Sequence, residues 1–470
     1  MAGRDTISDL HFKSNDKHDN NHPSPLNIEA FIPWACGQLE LPFVTIINKV
    51  QLIGVARSTS TRGKAKEENT NEDSQSGSNV NDDIRFSGVN NTDMLIYVDA
   101  IYDNNNLIQL KFNSNLQVPV ILLKLFSLIV HFHPHLTAIY INRGLNQNGL
   151  YQVSKIVNAA KVTEVILDNT VVKEANYYIL LDDNCSLKYL SLAKCKLNDR
   201  SVKFIVSRLN YPLKASKTLS VLNLSSNMIT DEGAKYLGDM LRMNRQLCYL
   251  NLSGNMISDI GADSILSILM TFPLTADEIT QKKARKFHYM KKKNDFIRHT
   301  VEVMRIDYEK RYTAQKKIGK SVSSGTKKSI YDLPPDNEKV GSMIGFDSVW
   351  LDKAETAAEE MIGPFQDAFN DENTITKCGE VYCYGNNVLC YLNLAYNSLT
   401  YFSVKKLLEV LKVQRELPRR RKGLINVCIE GNNLPKACQE LAEIDISLEI
   451  GLNRLSNMST IKRKNVLRAK

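Results

Sequence analysis

The hydrophobic residues of this chain follow one spacing, which is clearest between Leu219 and Ile257. Two tandem copies of the pattern L-x-x-L-x-L-x-x-N-x-I begin at Leu219 and Leu247, 28 residues apart. The leucines alternate over a short stretch, as in a strand with one buried face. After Gly233 and Gly261 the apolar residues recur with the spacing of a helix. Each copy is therefore predicted to form a strand, a turn and a helix.

This pattern resembles the leucine-rich repeat family, whose units of 20–29 residues stack into a solenoid. The leucines are expected to point into the solenoid. The asparagine is expected to turn inward at the bend and to hydrogen-bond backbone groups that the turn leaves unpaired. The predicted fold class is thus α/β, a horseshoe with parallel strands inside and helices outside.

Weaker copies extend the pattern in both directions, and we count about seven units, where roughly three are needed for a stable stack. The copy at Leu187 has Cys195 at the asparagine position, which resembles the long, ribonuclease-inhibitor-like repeat class. The other copies begin at Leu136, Val162, Leu389 and Leu424. Four residues are predicted to cap the convex helices: Asn198, Thr230, Ser258 and Thr400.

The segments outside the repeats predict further regions. Residues 1–93 are polar and predicted to be mostly disordered, apart from an apolar segment at 28–55 that we expect to be extended and to dock on the solenoid or a partner. Residues 94–135 are predicted to form a β-hairpin and an apolar helix that cap the solenoid. The remaining predicted regions are repeats at 136–274, an insertion at 275–380, resumed repeats at 381–445 and a basic tail at 446–470.

The insertion separates positive from negative charge. Residues 281–330 contain 16 Lys or Arg against 4 Asp or Glu, whereas residues 331–375 contain 2 against 11. Residues 275–318 are predicted to form a long basic helix, and residues 331–375 an acidic, flexible segment with a short helix at 354–361, placed to neutralise the basic helix in cis. The predicted apolar stripe of the basic helix is Phe287, Met290, Asn294, Ile297, Val301, Met304 and Tyr308.

Pro273 is expected to end the last helix before the insertion, so that the basic helix emerges on the convex or edge side of the solenoid. We predict that Lys291, Lys292, Lys293 and Arg298 contact a second partner, an acidic filament surface such as a microtubule. Nucleic acid is the less favoured partner, because the acidic segment lies beside the basic helix.

Composition points to an intracellular, cytoplasmic protein. Nine scattered cysteines form no zinc-type pair, and Met1 to Asn21 is polar, unlike a secretory signal. The longest apolar run, Val118 to Phe132, contains Lys124 and is too short to span a bilayer. No membrane association is predicted.

No active site is evident in the sequence. Gly319-Lys320-Ser321 lacks the earlier glycine that a phosphate-binding loop needs, and Pro134 interrupts the alternating histidines at 131, 133 and 135. We therefore predict no catalytic residue, no cofactor and no metal.

The strand residues on either side of the second leucine are expected to face the concave side. They are Tyr189, Ser191, Val221, Asn223, Tyr249, Asn251, Tyr391 and Asn393. Two interpretations remain open: ordinary packing of the strand surface, or a protein-binding groove in which tyrosine supplies contact area.

The arrangement of repeats around the insertion resembles the leucine-rich repeat-containing protein 71 family. The resemblance covers roughly residues 130–415 and is carried by Leu219 to Phe272 and by Gly385 to Leu399 (GNNVLCYLNLAYNSL). It implies a non-enzymatic scaffold associated with the axoneme of motile cilia or flagella. The alternatives are a GTPase-regulatory repeat protein, for which we identify no loop arginine, and an RNA-associated or ribonuclease-inhibitor-like binder.

Overall fold

The computed structural model describes residues 22–52, 94–113, 117–318, 341–416, 423–436, 438–450 and 452. These residues fall into two compact units, one from residues 1–270 with 385–470 and the other from residues 271–384. The prediction of disorder before residue 22 lies outside the described residues, as do residues 53–93 and most of the basic tail.

A ten-stranded sheet forms the centre of the first unit, in the order β1-β2-β3-β4-β5-β6-β7-β8-β12-β13. Its neighbouring strands are parallel except for β2 and β3, which form the predicted hairpin. The strands are β1 Phe43–Gln51, β2 Met94–Asp103, β3 Asn106–Phe112, β4 Ala138–Ile141, β5 Glu164–Ile166, β6 Tyr189–Ser191, β7 Val221–Asn223, β8 Tyr249–Asn251, β12 Tyr391–Asn393 and β13 Asn426–Cys428. The second unit contains β9 Phe272–Pro273, β10 Thr374–Lys377 and β11 Glu380–Cys383.

Helices follow most strands of the first unit and bury their apolar residues. They are α1 Ile28–Gln38, α2 Val120–Ile129, α3 Gln147–Ala160, α4 Asp199–Leu209, α5 Ala215–Thr218, α6 Asp231–Leu241, α7 Asp259–Leu266 and α10 Tyr401–Glu416. Residues 439–450 are also helical. The second unit contains α8 Ala276–Ile318 and α9 Gly341–Ile362.

The repeat leucines form continuous rows through the core of the first unit. Leu190, Leu222, Leu250 and Leu392 are direct neighbours in register on adjacent strands, and each is fully buried. Because β12 pairs directly with β8, the repeats before and after the interruption stack as one array. The parallel, alternating arrangement of an α/β solenoid is thus confirmed, whereas the horseshoe curvature stays a prediction.

The repeat asparagines form a ladder that joins each repeat to the one before it. The side-chain oxygen of Asn227 accepts hydrogen bonds from the N–H groups of Cys195 and Leu197, both at 3.0 Å. Its amide nitrogen donates to the carbonyl oxygens of Leu192 at 3.0 Å and Leu224 at 2.9 Å. Comparable bonds recur at Asn255, Asn397 and Asn432. The predicted inward turn of the asparagine is therefore confirmed.

A second ladder, of aspartates, joins the starts of the convex helices. Asp231 is the first residue of α6, and it accepts hydrogen bonds from the N–H of Ser258 at 2.7 Å and of Gly261 at 3.0 Å, one repeat later. A Cβ atom at Gly261 would lie 2.5 Å from the Asp231 oxygen, so glycine permits this approach. The same arrangement occurs at Asp199 with Thr230 and Gly233, and at Asp259 with Thr400 and Ser403.

The four predicted N-caps are confirmed. Each accepts a hydrogen bond through its side-chain oxygen from a backbone N–H in the first turn of the helix that follows. These caps satisfy one of the donors that every helix start leaves unpaired. The aspartate ladder supplies further acceptors at the same helix ends.

The apolar segment at 28–55 is not extended throughout, which corrects the expectation from sequence. Residues 28–38 form α1, and only residues 43–51 form a strand, which pairs in parallel with β2. The buried residues Ile28, Phe31, Ile32 and Ala35 are spaced so that they lie on one face of a helix. Asn27 caps the first turn of this helix. Pro33 lies inside this helix.

The boundaries of the interruption also differ from those expected. Pro273 does not end a helix, because α7 ends at Leu266, a short 3-10 turn follows, and Pro273 lies in β9. The repeats do not resume at Val381, which lies in β11 and pairs antiparallel with β10. Antiparallel pairing of β11 with β9 and β10 instead holds the two ends of the second unit together.

The second unit is built on α8 and α9, which pack antiparallel. The acidic segment is more ordered than expected, since α9 is a continuous helix of 22 residues rather than a short helix at 354–361. Its Ala354 and Ala358 are fully buried, and the small side chains allow close helix packing. Contacts along the pair run from Arg285 with Asp367, through Tyr289 with Gly363, to Tyr308 with Trp350.

The predicted apolar stripe of the basic helix is correct in its middle and wrong in its N-terminal half, and its last member, Tyr308, is 42% exposed. Ile297, Val301 and Met304 are partly buried. Phe287 is 71% exposed and Met290 is 51% exposed. The half-buried face there contains Arg285 and Tyr289 instead, because these side chains reach polar groups beyond the end of α9.

Candidate functional site

Two rows of side chains cross the face of the sheet opposite the repeat leucines, which is the concave surface of the predicted horseshoe. The tyrosine row consists of Tyr189, Val221, Tyr249 and Tyr391, which are consecutive neighbours in register. The asparagine row consists of Ser191, Asn223, Asn251 and Asn393, two residues further along each strand. The residues predicted for the concave side thus lie on one face of the sheet, on four adjacent strands.

Tyr249 and Tyr391 form the centre of the tyrosine row. Their rings are stacked with centroids 4.0 Å apart and an interplanar angle of 2°, and both side chains remain partly exposed. The Tyr391 hydroxyl lies 3.4 Å from the Cys428 sulfur. Burial, and then contact with Cys428 and Tyr249, raises the pKa of Tyr391, so the hydroxyl remains neutral at physiological pH. The stacked pair offers a flat aromatic surface.

Ser191 does not belong to the accessible surface, which corrects its predicted role in partner binding. The residue is fully buried. Its hydroxyl donates to Asp168 at 2.5 Å and accepts from the Asn223 amide at 2.9 Å. The small side chain lies below its larger neighbours and supports the position of Asn223.

Sequence reasoning missed a polar cleft at the carboxyl ends of β3 to β6. Its lining residues come from four separate loops: Asn113, Asn142, Arg143, Asp168, Asn169, Ala193 and Lys194. Asp168 accepts hydrogen bonds from Ser191 and from the N–H of Ala193 at 3.0 Å. The available signal was a polar residue within three positions of the end of each strand, but only the parallel sheet brings these loops to one edge.

Comparison with known families gives a match over three of these repeats. The model of the family described as Leucine Rich repeat matches residues 183–206, 215–238 and 244–266. The chain contains leucine-rich repeats. A comparison with curated proteins finds no match. The matched segments include β6 to β8, α7 and most of α4 and α6, and therefore most of the tyrosine and asparagine rows.

Leucine-rich repeat domains typically bind proteins, and their extended concave surface is the usual contact area. Among the described residues of this leucine-rich repeat chain, no group of three or more His, Cys, Asp or Glu could hold a metal ion. None of the helices that the structure describes is both long and apolar enough to cross a membrane.

The predicted basic contact of the leucine-rich repeat chain lies on α8. Lys291, Lys292 and Arg298 are exposed, but Lys293 lies 3.5 Å from Glu359 of α9. Further ion pairs join Arg285 to the buried Asp367 at 2.6 Å and Lys282 to Asp371 at 3.5 Å. Acidic residues that follow in the chain thus pair with one face of α8, whereas Lys291, Lys292 and Arg298 remain exposed.

Proposed function

We propose that this protein is a non-enzymatic scaffold that binds a protein partner on the concave surface formed by β6, β7, β8 and β12. The stacked, partly exposed pair of Tyr249 and Tyr391 carries the proposal. Tyrosine provides a large contact area with few rotatable bonds, and such residues dominate binding energies at protein interfaces. No Asp, Glu, Lys or Arg is present on strands β6, β7, β8 or β12, so a partner would not have to displace charge there.

We further propose that the scaffold is cytoplasmic and associated with the axoneme of motile cilia or flagella. This proposal is supported by the resemblance of Leu219 to Phe272 and of Gly385 to Leu399 to the leucine-rich repeat-containing protein 71 family. A fluorescently tagged full-length chain should align with the axoneme in a ciliated cell. A diffuse cytosolic signal with no enrichment along the axoneme would contradict the assignment.

Replacing Tyr249 and Tyr391 with alanine should weaken capture of the partner. We expect a loss of about 2 kcal/mol or more in binding free energy, because truncating a central aromatic residue removes contact area and exposes its surroundings to water. Quantitative affinity capture from a ciliated-cell extract would measure the loss. Tyr151→Ala is the matched control, because Tyr151 is 51% exposed and lies on α3, away from the concave surface. Equal losses for the control and the double variant would contradict a concave binding surface.

We propose that the exposed basic face of α8 is a second contact, which approaches an acidic filament surface such as a microtubule. Lys293 is not a suitable residue for testing this contact, since it is already paired with Glu359. Changing Lys291, Lys292 and Arg298 to glutamate should reduce co-sedimentation with microtubules several-fold, and the reduction should diminish at high salt because exposed charges are screened.

The control for this experiment is a second triple exchange of equal charge. Lys173, Lys203 and Lys235 are exposed residues outside α8, and changing them to glutamate alters the net charge by the same amount. If both triple variants lose binding equally, the attraction depends on total charge and not on α8. If neither loses binding, the electrostatic contact is wrong.

A further inference from the structure

The side-chain amides of the asparagine row have a fixed orientation. The oxygens of Asn223, Asn251 and Asn393 accept hydrogen bonds from the backbone N–H two residues later, at 3.1, 3.0 and 2.9 Å. Only the carbonyl oxygen of an amide can accept such a bond. The amide nitrogen of each side chain is therefore held on the side away from this backbone contact, and all three residues are partly exposed.

Within the described residues, these amide nitrogens do not use both of their hydrogens in hydrogen bonds. Asn223 donates to Ser191 at 2.9 Å, and Asn393 makes a long contact of 3.4 Å with the Tyr391 hydroxyl. No acceptor is present for the Asn251 amide nitrogen among the described residues. Since each nitrogen has two hydrogens, at least one donor per residue remains for a ligand.

The three donors form an evenly spaced line. Asn223, Asn251 and Asn393 occupy matching positions on β7, β8 and β12, which are adjacent parallel strands. Neighbouring strands lie about 4.8 Å apart, so the line presents one donor at each such step. A ligand that satisfies it must present hydrogen-bond acceptors at nearly the same interval.

An α-helix meets this requirement better than an extended strand. Side chains one helical turn apart lie about 5.4 Å apart along the axis, which differs from the donor spacing by only about 0.6 Å per step. Same-side residues of an extended strand lie about 6.6 Å apart and would be out of register after two steps. Such a helix would also lie beside the stacked rings of Tyr249 and Tyr391, which are two residues away on the same strands.

We propose that the concave surface takes a partner helix that lies across the strands and presents Glu or Asp carboxylates one turn apart to Asn223, Asn251 and Asn393. An apolar flank of the same helix packs on Tyr249 and Tyr391. This inference rests on the proposed function, and it adds the conformation and the chemistry of the partner segment.

Two designed peptides test the inference with the full-length chain. Both are alanine-rich helices with a leucine flank; one has glutamate at successive turns of one face and the other has lysine at the same positions. The parent chain should bind the glutamate peptide about tenfold more tightly, as expected for hydrogen bonds to a charged acceptor. Fluorescence anisotropy of labelled peptides would measure both affinities.

The double variant Asn251→Asp with Asn393→Asp should reverse this preference. Aspartate keeps an oxygen for the backbone N–H of Ser253 and Ala395, but it replaces the donor with a negatively charged acceptor. Equal affinities of the parent for both peptides would contradict the proposed line of donors. An unchanged ratio of the two peptide affinities in the variant would contradict it as well. Binding of neither peptide would overturn the helical occupant, while the Tyr249 and Tyr391 variants still decide separately whether the concave surface binds a partner.

A measurement on the parent chain covers the case in which the variant does not fold. With selectively labelled asparagine, the side-chain amide resonances at 223, 251 and 393 should shift on addition of the glutamate peptide and not on addition of the lysine peptide. Shifts confined to other asparagines would overturn the inference.

Discussion

Replacing Asn227 with alanine is expected to lower the free energy of unfolding by about 4 kcal/mol. The substitution removes the side-chain partner of the Cys195 and Leu197 N–H groups and of the Leu192 carbonyl oxygen, and it removes one of the two amide donors to the Leu224 carbonyl oxygen. Each buried group left without a partner costs about 1–3 kcal/mol. The loss should be large because these groups lie inside the stack, where water does not replace the side chain.

Urea unfolding followed by circular dichroism would measure the effect of Asn227→Ala. Asn148→Ala is the matched control, since Asn148 is exposed in the first turn of α3 and alanine suits a helix at least as well as asparagine. A loss below about 1 kcal/mol for Asn227→Ala would mean that the asparagine ladder follows the stacking of the repeats without stabilising it.

Replacing Asp259 with alanine is expected to destabilise the first unit by about 3 kcal/mol at neutral pH. Asp259 accepts hydrogen bonds from Thr400 through its N–H at 2.9 Å and its hydroxyl at 2.5 Å, and from the N–H and hydroxyl of Ser403. Hydrogen bonds to a charged group contribute about 1.5–3 kcal/mol each, and their partial exposure reduces the total. The effect should be large because these bonds join repeats that are 141 residues apart in sequence.

The contribution of Asp259 should depend on pH. Burial raises the pKa of this carboxyl, but hydrogen bonds from Ser403 and Thr400 outweigh it and hold the pKa below its usual value. A carboxyl group whose pKa is lower in the folded than in the unfolded state contributes its full stabilisation of the fold above the unfolded pKa of about 3.9. This contribution is lost as pH falls through the folded pKa. The difference in free energy of unfolding between the parent and Asp259→Ala should therefore be constant from pH 7 to about 5 and become smaller below about pH 4.

Unfolding curves at pH 7, 5, 4 and 3 would measure this narrowing. Asp239→Ala serves as the control, because Asp239 is exposed on α6 and should change stability little at any of these pH values. A difference between parent and Asp259→Ala that stays constant down to pH 3 would show that the aspartate acts through its shape and not through its charge.

The two ladders differ in how visible they are in the sequence. The asparagine of each repeat recurs at a fixed distance from leucines that are themselves recognisable, so its inward turn follows from the repeat pattern. The aspartates have a signal too, an aspartate directly after three of the four caps and a small residue two positions later, as in Asp231 and Gly233. Their role was missed because the groups they bind belong to the next repeat.

The second unit shows a different limit of sequence reasoning. A basic helix at 275–318 was predicted, and α8 spans Ala276–Ile318. Which of its faces is covered depends on α9 and on the loop after it, whose Gly363 and Asp367 bind Tyr289 and Arg285. An apolar stripe drawn through Phe287 and Met290 therefore gave the wrong face in the N-terminal half of the helix.

The sequence by itself determined the repeat strands, their caps and the residues on the face of the sheet opposite the repeat leucines. These features depend on spacing within about 28 residues, where alternation and helical periodicity decide which side chains are buried. Only the tertiary structure decided that Ser191 is buried, that Lys293 is paired with Glu359, and that Tyr249 stacks on Tyr391 across the interruption. Each of these outcomes depends on a partner distant in sequence or on the depth of a side chain among its neighbours, and local periodicity contains neither.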